Sequence, residues 1–459
     1  MGIPVTQGRG FVKTSRFGGV LLALALVVLG GAAWAGDEAV VEEILQVLKD
    51  RGIVDEEEYQ RLAAKNAKYE EERRSWMPKI DWSGDFRFRH ESWWFDEDPT
   101  GVESDNRYRL RYRFRVKGEV EVNDWADLVF RLVSGENDNR SNNKTLGEDV
   151  DFDTDQIRLN LAYAKLRAPA SWIPLPEGKA VLELGKVPIP FIWERSEMKR
   201  GLDYMLWDND LAPEGVSLLL GSKPTERTSL FASFGYYIID ENSQESDPHL
   251  WGIQAGGHQE LSEDLVFGAR ASWYAFRSID GDFNARGAVG TAAGGVTSGG
   301  GNIPDGLNGD IGGNPFSIVE TGAYLTYSGF ESWPITVYGD LARNLDAESS
   351  KLFPGAGGED TAWGVGVEVG DSKKIVKLGA GYWSIEANSF PSMFIDSDFL
   401  DGRTNRQGWA FYGSRELFAN TEMKLTLFVI EPIETEDAFL TSIGNSDRLR
   451  LQSDIIFKF

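Results

Sequence analysis

Arg107, Arg109, Arg111, Arg113, Arg115 and Lys117 occupy every second position of one short segment, and Glu119 and Glu121 continue the series. The positions between them hold Tyr108, Leu110, Tyr112, Phe114, Val116, Val120 and Val122. Guanidinium groups keep their proton at neutral pH, so a row of them does no acid–base or nucleophilic work. What such a row can do is attract anions and hydrogen-bond them. Arg87 and Arg89 extend the same pattern upstream, and Arg448, Arg450 and Lys458 extend it at the end of the chain. Asp81, Asp85, Glu91 and Asp454 share that face. Approximate antiparallel pairing sets Asp85 beside Arg113 and Glu91 beside Arg107. Arg87, Arg89, Arg109 and Arg111 are then left as a cationic patch, unless carboxylates from loops neutralise it.

Other chemistries find little support. The chain has no cysteine, which removes disulfides, thiol chemistry and thiolate metal sites together. Its three histidines, His90, His249 and His258, lack zinc-type spacing, and the last two suit water-facing positions. No Ser and His pairing suggests a lipid-facing hydrolase. The glycine-rich stretch 290 to 301 lacks the Gly-Lys-Ser/Thr ending of a phosphate loop and reads as a flexible connection. No metal, no cofactor and no enzymatic activity are therefore expected. The formal charge of −25 argues against nucleic acid as a partner.

The elements that position the arginines follow from the alternation. A period of two assigns each face of a strand to a different environment. About ten residues tilted near 45° span a bilayer, and apolar-out, polar-in alternation is how an outer-membrane strand is written. Shifting the 106–122 segment by one position would turn five arginines and Lys117 toward lipid. At roughly 2–4 kcal/mol each near the midplane, the penalty is on the order of 10 kcal/mol, so the basic face points inward.

Sixteen alternating runs are legible: 79–92, 106–122, 125–134, 155–167, 179–187, 214–221, 227–239, 248–260, 264–277, 316–329, 332–343, 360–370, 373–386, 405–417, 420–432 and 446–459. Short connections alternate with long ones, the latter including 135–154, 188–213, 278–315 and 387–404. Short periplasmic turns and long external loops have this rhythm. The fold class expected is therefore all-β, a transmembrane antiparallel β-barrel of about 16 strands over residues 79–459, with 14 or 18 left open. An even count puts both barrel ends in the periplasm. Trp82, Trp125, Trp333 and Phe459 fall near the short turns, while Trp94, Trp273, Trp383 and Trp409 fall near the long loops. Together they predict two aromatic girdles.

Ahead of the barrel, Arg9, Lys13 and Arg16 precede an uncharged stretch with an apolar core from Val20 to Leu29, ending in Ala33-Trp34-Ala35. That is the pattern of a secretory signal peptide over 1–35. Its removal takes away three cations and no acid, so the formal charge moves from −25 to −28. Residues 36–78 read as a short periplasmic helical segment. Val40, Val41, Ile44, Leu45 and Leu48 form one stripe, Gly52 can end that helix, and Asp55 with Glu58 can cap a second one carrying Tyr59 and Leu62.

Three segments resemble the bacterial "putative porin" family: Asp-Trp-Ser-Gly-Asp-Phe-Arg-Phe-Arg-His-Glu-Ser (81–92), the Asn-Arg-Tyr-Arg-Leu-Arg-Tyr-Arg run, and Met-Leu-Trp-Asp-Asn-Asp-Leu-Ala-Pro-Glu-Gly-Val (205–216). Leu-Glu-Leu-Gly-Lys (182–186), leading into Pro-Ile-Pro-Phe (188–191), is similar as well. The resemblance covers residue 79 to the C-terminus, and the helical leader is also similar to those before phosphate-selective porins. It implies an outer-membrane, water-filled channel for passive diffusion of small hydrophilic solutes or ions and adds little on selectivity; a weak preference for anions is expected from the basic wall, whose field a low-dielectric surround focuses. By analogy with general porins the resemblance also implies a homotrimer. In sixteen-stranded porins the loop between the fifth and sixth strands folds into the lumen. Here that loop is 188–213, a candidate constriction carrying Glu194, Arg195, Glu197, Lys199, Arg200, Asp203, Asp208 and Asp210. Trp193, Met205, Leu206 and Trp207 could pack it on the inner wall. Terminal Phe459 reads as the signal for the barrel-assembly machinery, with outer-membrane lipid as the surrounding solvent. Two other readings stay open: a barrel that sheaths a periplasmic multihaem cytochrome, and a structural tether from outer membrane to cell wall through residues 38–74.

Overall fold

The computed structural model describes residues 49, 55–74, 80–95, 106–135, 140–148, 153–176, 178–192, 206–241, 243, 246–278, 302, 316–347, 358–433 and 447–459. It divides into two units, Met1–Lys79 and Ile80–Phe459. The described part of the first is the helix α1 (Glu56–Arg74) with Lys49 ahead of it. Asp55 Oδ1 accepts the Glu58 N–H at 2.8 Å, as the capping spacing requires. Glu56, Glu57 and Glu58 place negative charge in the first turn, where the helix dipole favours it. Segment 1–35 and the apolar stripe 40–48 lie outside the described residues.

In the second unit, sixteen strands follow one another around a closed sheet: β1 (Ile80–Phe95), β2 (Arg107–Asn123), β3 (Ala126–Val133), β4 (Arg158–Arg167), β5 (Lys179–Lys186), β6 (Glu214–Thr225), β7 (Thr228–Ile238), β8 (His249–Glu260), β9 (Leu265–Arg277), β10 (Phe316–Tyr327), β11 (Ile335–Asn344), β12 (Thr361–Gly370), β13 (Lys377–Ile385), β14 (Arg406–Phe418), β15 (Thr421–Pro432) and β16 (Arg448–Lys458). Each pairs antiparallel with the next, and β16 returns to β1 from Asp85↔Lys458 to Phe95↔Arg448. Every expected run overlaps one of these strands, with ends that differ by up to four residues. A further two-residue strand, Lys144–Thr145, pairs with Arg111 and Tyr112 of β2 beyond the point where β3 ends. Closure matters because hydrocarbon offers no partner to an unpaired backbone amide. Phe459 completes the seam: its N–H and C=O exchange hydrogen bonds with Gly84 at 3.1 and 2.8 Å. A Cβ at Gly84 would collide with the Phe459 ring, so only glycine lets the ring lie there.

Alternation divides the side chains as the sequence requires. Phe88, Leu110, Leu341, Val365, Phe411 and Ile455 are among the outward residues left exposed, whereas Arg89, Arg113, Arg270 and Asp454 are buried within the barrel. Trp82, Trp125, Trp333, Trp273 and Trp409 are exposed outward. Trp383 is a correction to the expected girdle. It points inward and is 2 % exposed, with its ring over Gly364 and Gly381 and edge-on to Phe399 at 4.7 Å. Neighbouring Tyr382 takes the outward place, 5.2 Å from Trp409. The two inner-face glycines leave the space that an indole fills.

The interior is not uniform. On one side Phe191, Trp207, Tyr237, Tyr274, Phe276, Phe316, Ile318 and Phe390 form a continuous apolar cluster. Its members come from inward positions of β7, β9 and β10, from residues 187–192 and 206–211 after β5, and from the connection after β13, so these described stretches lie inside the barrel. On the lipid side, Val365 stands mid-strand in β12 opposite Gly339 and Tyr382. Val365→Arg should lower the unfolding free energy in lipid by about 2–4 kcal/mol. Val365→Ala should cost far less. Urea titration of the heat-modifiable band in lipid vesicles measures both.

Candidate functional site

The other side of the lumen, from β15 through β16, β1 and β2 to β4, is charged. It lines a cavity of about 750 Å³. All ten basic residues picked out on the wall, Arg87, Arg89, Arg107, Arg109, Arg111, Arg113, Arg115, Lys117, Arg448 and Arg450, occupy the inward-facing register of β1, β2 and β16. The cross-strand register differs from the expected one by two residues: Asp85 lies opposite Arg115 and Glu91 opposite Arg109. Asp85 bridges Arg113 at 3.0 Å and Arg115 at 2.5 Å. Glu91, wholly buried, meets Arg109 at 2.5 Å, Arg450 at 2.8 Å, Arg89 at 3.4 Å and Arg111 at 3.7 Å.

The expected patch of four unpaired arginines is thus corrected. Arg89, Arg109 and Arg111 meet carboxylates, and only Arg87 of the four meets none within ion-pair distance among the described residues. Trp93 reinforces the wall, because the guanidinium carbons of Arg109, Arg450 and Arg107 sit 4.4, 4.8 and 5.7 Å from its ring centre. Lys117 pairs with Glu119 at 3.0 Å.

Two connections enter the lumen and meet each other. Of the 188–213 segment, residues 188–192 and 206–213 are described, and Ile189, Phe191, Leu206 and Trp207 are buried in the apolar cluster. Trp207 packs 5.1 Å from Tyr274 and 4.9 Å from Phe390. Asp208 and Asp210 are buried, and Asp210 bridges Arg115 at 3.0 Å. Glu194, Arg195, Glu197, Lys199, Arg200 and Asp203 lie outside the described residues.

The second connection, 386–405, reads in the sequence as one more long connection and is an inserted one in the structure. Its N–H and carbonyl groups join the first: the Asp208 N–H donates to the Phe394 carbonyl at 2.9 Å, and the Ser397 N–H donates to Asp208 Oδ2 at 2.7 Å. Asp398 then accepts from Arg89 at 2.5 Å and Arg450 at 3.1 Å, tying the loop to β1 and β16. Arg140 donates to the carbonyls of Ser392 and Gly402 at 3.0 and 2.9 Å. The available signal was the same one that marked 188–213: Phe390, Phe394, Ile395 and Phe399 flank the acidic pair Asp396 and Asp398.

The loop carboxylates are in different charge states. Burial pushes Asp208 well above the usual carboxylate range, with Asp396 and Asp210 adding to it. Burial and the adjacent Asp398 push Asp396 up to about 7. Burial would also raise Asp398 and Asp210, but Arg89 and Arg450 outweigh it for the first and Arg115 and Arg113 for the second, and both are lowered.

A closed barrel with an apolar outer belt and a charged, partly filled lumen is the architecture of an outer-membrane channel. The chain belongs to the putative porin family, whose model matches residues 96–299 and 312–440. No curated protein matches its sequence. Solved structures similar to it include OprB of Pseudomonas putida, at 9 % identity over 83 % of this chain and 94 % of that one, with a TM-score of 0.49. OmpF of Salmonella typhi, in complex with daunomycin, is 13 % identical over 83 % of this chain and 97 % of that one, with a TM-score of 0.46. The outer-membrane channel DcaP of Acinetobacter baumannii is 9 % identical over 83 % and 97 %, with a TM-score of 0.43.

Two outcomes follow from the loop contacts. Asp398→Ala leaves Arg89 and Arg450 each short of one partner. It should cost about 1–3 kcal/mol of stability and raise single-channel conductance by loosening the 386–405 segment. Asp396 loses its proton as pH rises through about 7 and adds one negative charge to the lumen. The chloride-over-potassium permeability ratio should therefore fall across that range, and Asp396→Asn should flatten the step in reversal-potential measurements.

Proposed function

We propose that this chain is a passive-diffusion porin for small hydrophilic solutes and ions, with a weak preference for anions. One observation carries the reading. Every carboxylate lining the charged cavity is bonded to a cation or to backbone N–H groups, while basic residues on the same wall remain in excess. A low-dielectric wall focuses that excess onto the water between, so anions are enriched there over cations. The two inserted connections, 188–213 and 386–405, form the constriction. They fill one side of the lumen with aromatic side chains and leave the charged side as the path.

The basic row Arg87 to Lys117 with Arg448 and Arg450 is assigned to that path, and the charged residues of 188–213 to its narrowing. By analogy with general porins the channel is a homotrimer. Residues 36–78 lie in the periplasm after removal of segment 1–35, and the exposed ring of Phe459 is offered to the barrel-assembly machinery. Support for the last point is the exposed position of that ring at the seam, where the Phe459 backbone exchanges two hydrogen bonds with Gly84.

Purified protein in planar bilayers under a KCl gradient tests the reading. Open channels with a reversal potential on the chloride side, together with liposome swelling rates that fall with solute size, are the expected result. A folded barrel that conducts nothing removes the channel reading. Conductance with a potassium-side reversal potential keeps the channel and removes the anion preference.

A further inference from the structure

Arg87 stands directly opposite Arg113 across β1 and β2, and the next inward rung sets Arg89 opposite Arg111. Like charges facing each other across strands are destabilising unless something negative comes between them. Asp85 supplies that for Arg113, Asp454 and Asp398 for Arg89, and Glu91 for Arg111. Arg87 receives only the side-chain carbonyl of Asn143, at 2.6 Å. It is 8 % exposed, its Nε has no hydrogen-bond partner, and it lines the charged cavity. A guanidinium carries five N–H donors and does not deprotonate, so Arg87 cannot relieve the mismatch by losing its charge.

Two more cations line the same cavity without an ion pair among the described residues. Arg131 on β3 donates its Nε to Asn160 Oδ1 at 2.6 Å. Lys424 on β15 has the Tyr412 ring 5.5 Å from its ammonium. Lys424 lies opposite Asp454 on β16, which faces Arg89, one inward rung from Arg87, whereas Arg131 lies opposite Lys117, two inward rungs from the Arg113 that faces Arg87. Carboxylates of the lining act on these three only from beyond ion-pair distance, Asp454 and Asp398 on Arg87, Asp210 and Asp85 on Arg131, and Asp454 and Glu422 on Lys424; Asp85, Asp210, Asp398 and Asp454 make their ion pairs with other arginines. Glu422 is held by Lys458 at 3.1 Å. Asp208 and Asp396 are held by backbone N–H groups.

We propose that Arg87, with Lys424 on the neighbouring inward rung, forms an oxyanion-binding subsite in the lumen that takes a small carboxylate or a phosphate. The proposal rests on the anion-preferring channel reading and deepens it. The wall does not merely enrich anions but holds one at a defined place, and an occupied site limits the current that other anions carry.

The test is chloride current through the full-length protein in planar bilayers, titrated with inorganic phosphate and, separately, with acetate. Saturable reduction of the current by either probe is expected. Arg87→Gln should raise the half-blocking concentration by about 10-fold or more, the scale of losing charged hydrogen bonds, and Arg87→Lys should recover part of it. Block by phosphate alone assigns a tetrahedral oxyanion, and block by acetate assigns a carboxylate site. If Arg87→Gln fails to give a heat-modifiable barrel, Lys424→Gln carries the test with a several-fold weaker block expected. A wild-type channel that prefers chloride yet shows no saturation with either probe overturns the subsite and leaves the anion preference standing. Block unchanged in the folded variants overturns it as well. A reversal potential on the potassium side would instead strike at the underlying reading.

Discussion

Strand β16 meeting strand β1 is the contact on which everything else depends. In hydrocarbon, a sheet edge would expose a row of backbone donors and acceptors with nothing to bond. The seam removes that edge, and its register then dictates which residues share the lumen. Because the side-chain period is two, a one-residue slip anywhere in β1 or β2 would exchange the arginine face for the Phe88, Leu110 and Tyr112 face. The cost of arginine in lipid and the cost of an open edge therefore enforce a single arrangement. Phe459 sits where both costs meet, hydrogen-bonded through its backbone to Gly84 and laid outward over that residue.

Once the wall is closed, the interior has to be filled or wetted. A sixteen-stranded barrel is wide enough for a water-filled channel, and this one divides its interior into two unlike sides. Trp207, Phe191 and Phe390 bring two connections against Tyr274, Phe276 and Phe316, forming an apolar mass like the core of a soluble domain. Their polar ends face the opposite wall. Asp210 reaches Arg115, and Asp398 reaches Arg89 and Arg450. The same two loops thus present aromatic anchors to one wall and carboxylates to the other. The aromatic anchors hold the acidic residues in position, because burial of each ring is independent of salt or pH.

The strands were legible because each satisfies a periodicity that only a two-faced wall requires. The inward direction of the arginines was legible for the same reason, as its alternative costs several times more than thermal energy. Register between strands was not, since pairing Asp85 with Arg113 or with Arg115 preserves the alternation equally well and only the connecting segment decides. Trp383 was misplaced because a girdle position and an inner-wall position are one residue apart, and the room made by Gly364 and Gly381 is visible only in three dimensions. Asp396 and Asp398 went unremarked because a loop's charges reveal nothing about location until the aromatic residues beside them are seen to be buried. The flanks of 188–213 could be anticipated from Leu206 and Trp207, and the same reasoning applied to Phe390 and Phe394 would have found the second loop.

Net charge and pore charge are separate quantities in such a molecule. The chain carries 72 acids against 47 lysines and arginines, a balance that on its own would point toward cations as permeant ions. Along the charged wall the order is reversed, because carboxylates there occupy sites between arginines. A charge in salt water is felt over a Debye length of roughly 8 Å at physiological ionic strength, so the sign of the net charge does not fix the sign of the field in a lumen. The local balance is set by which wall cations have a carboxylate within bonding distance. Arg87 stands out on that wall because it is buried and hydrogen-bonds the Asn143 amide where its neighbours meet carboxylates.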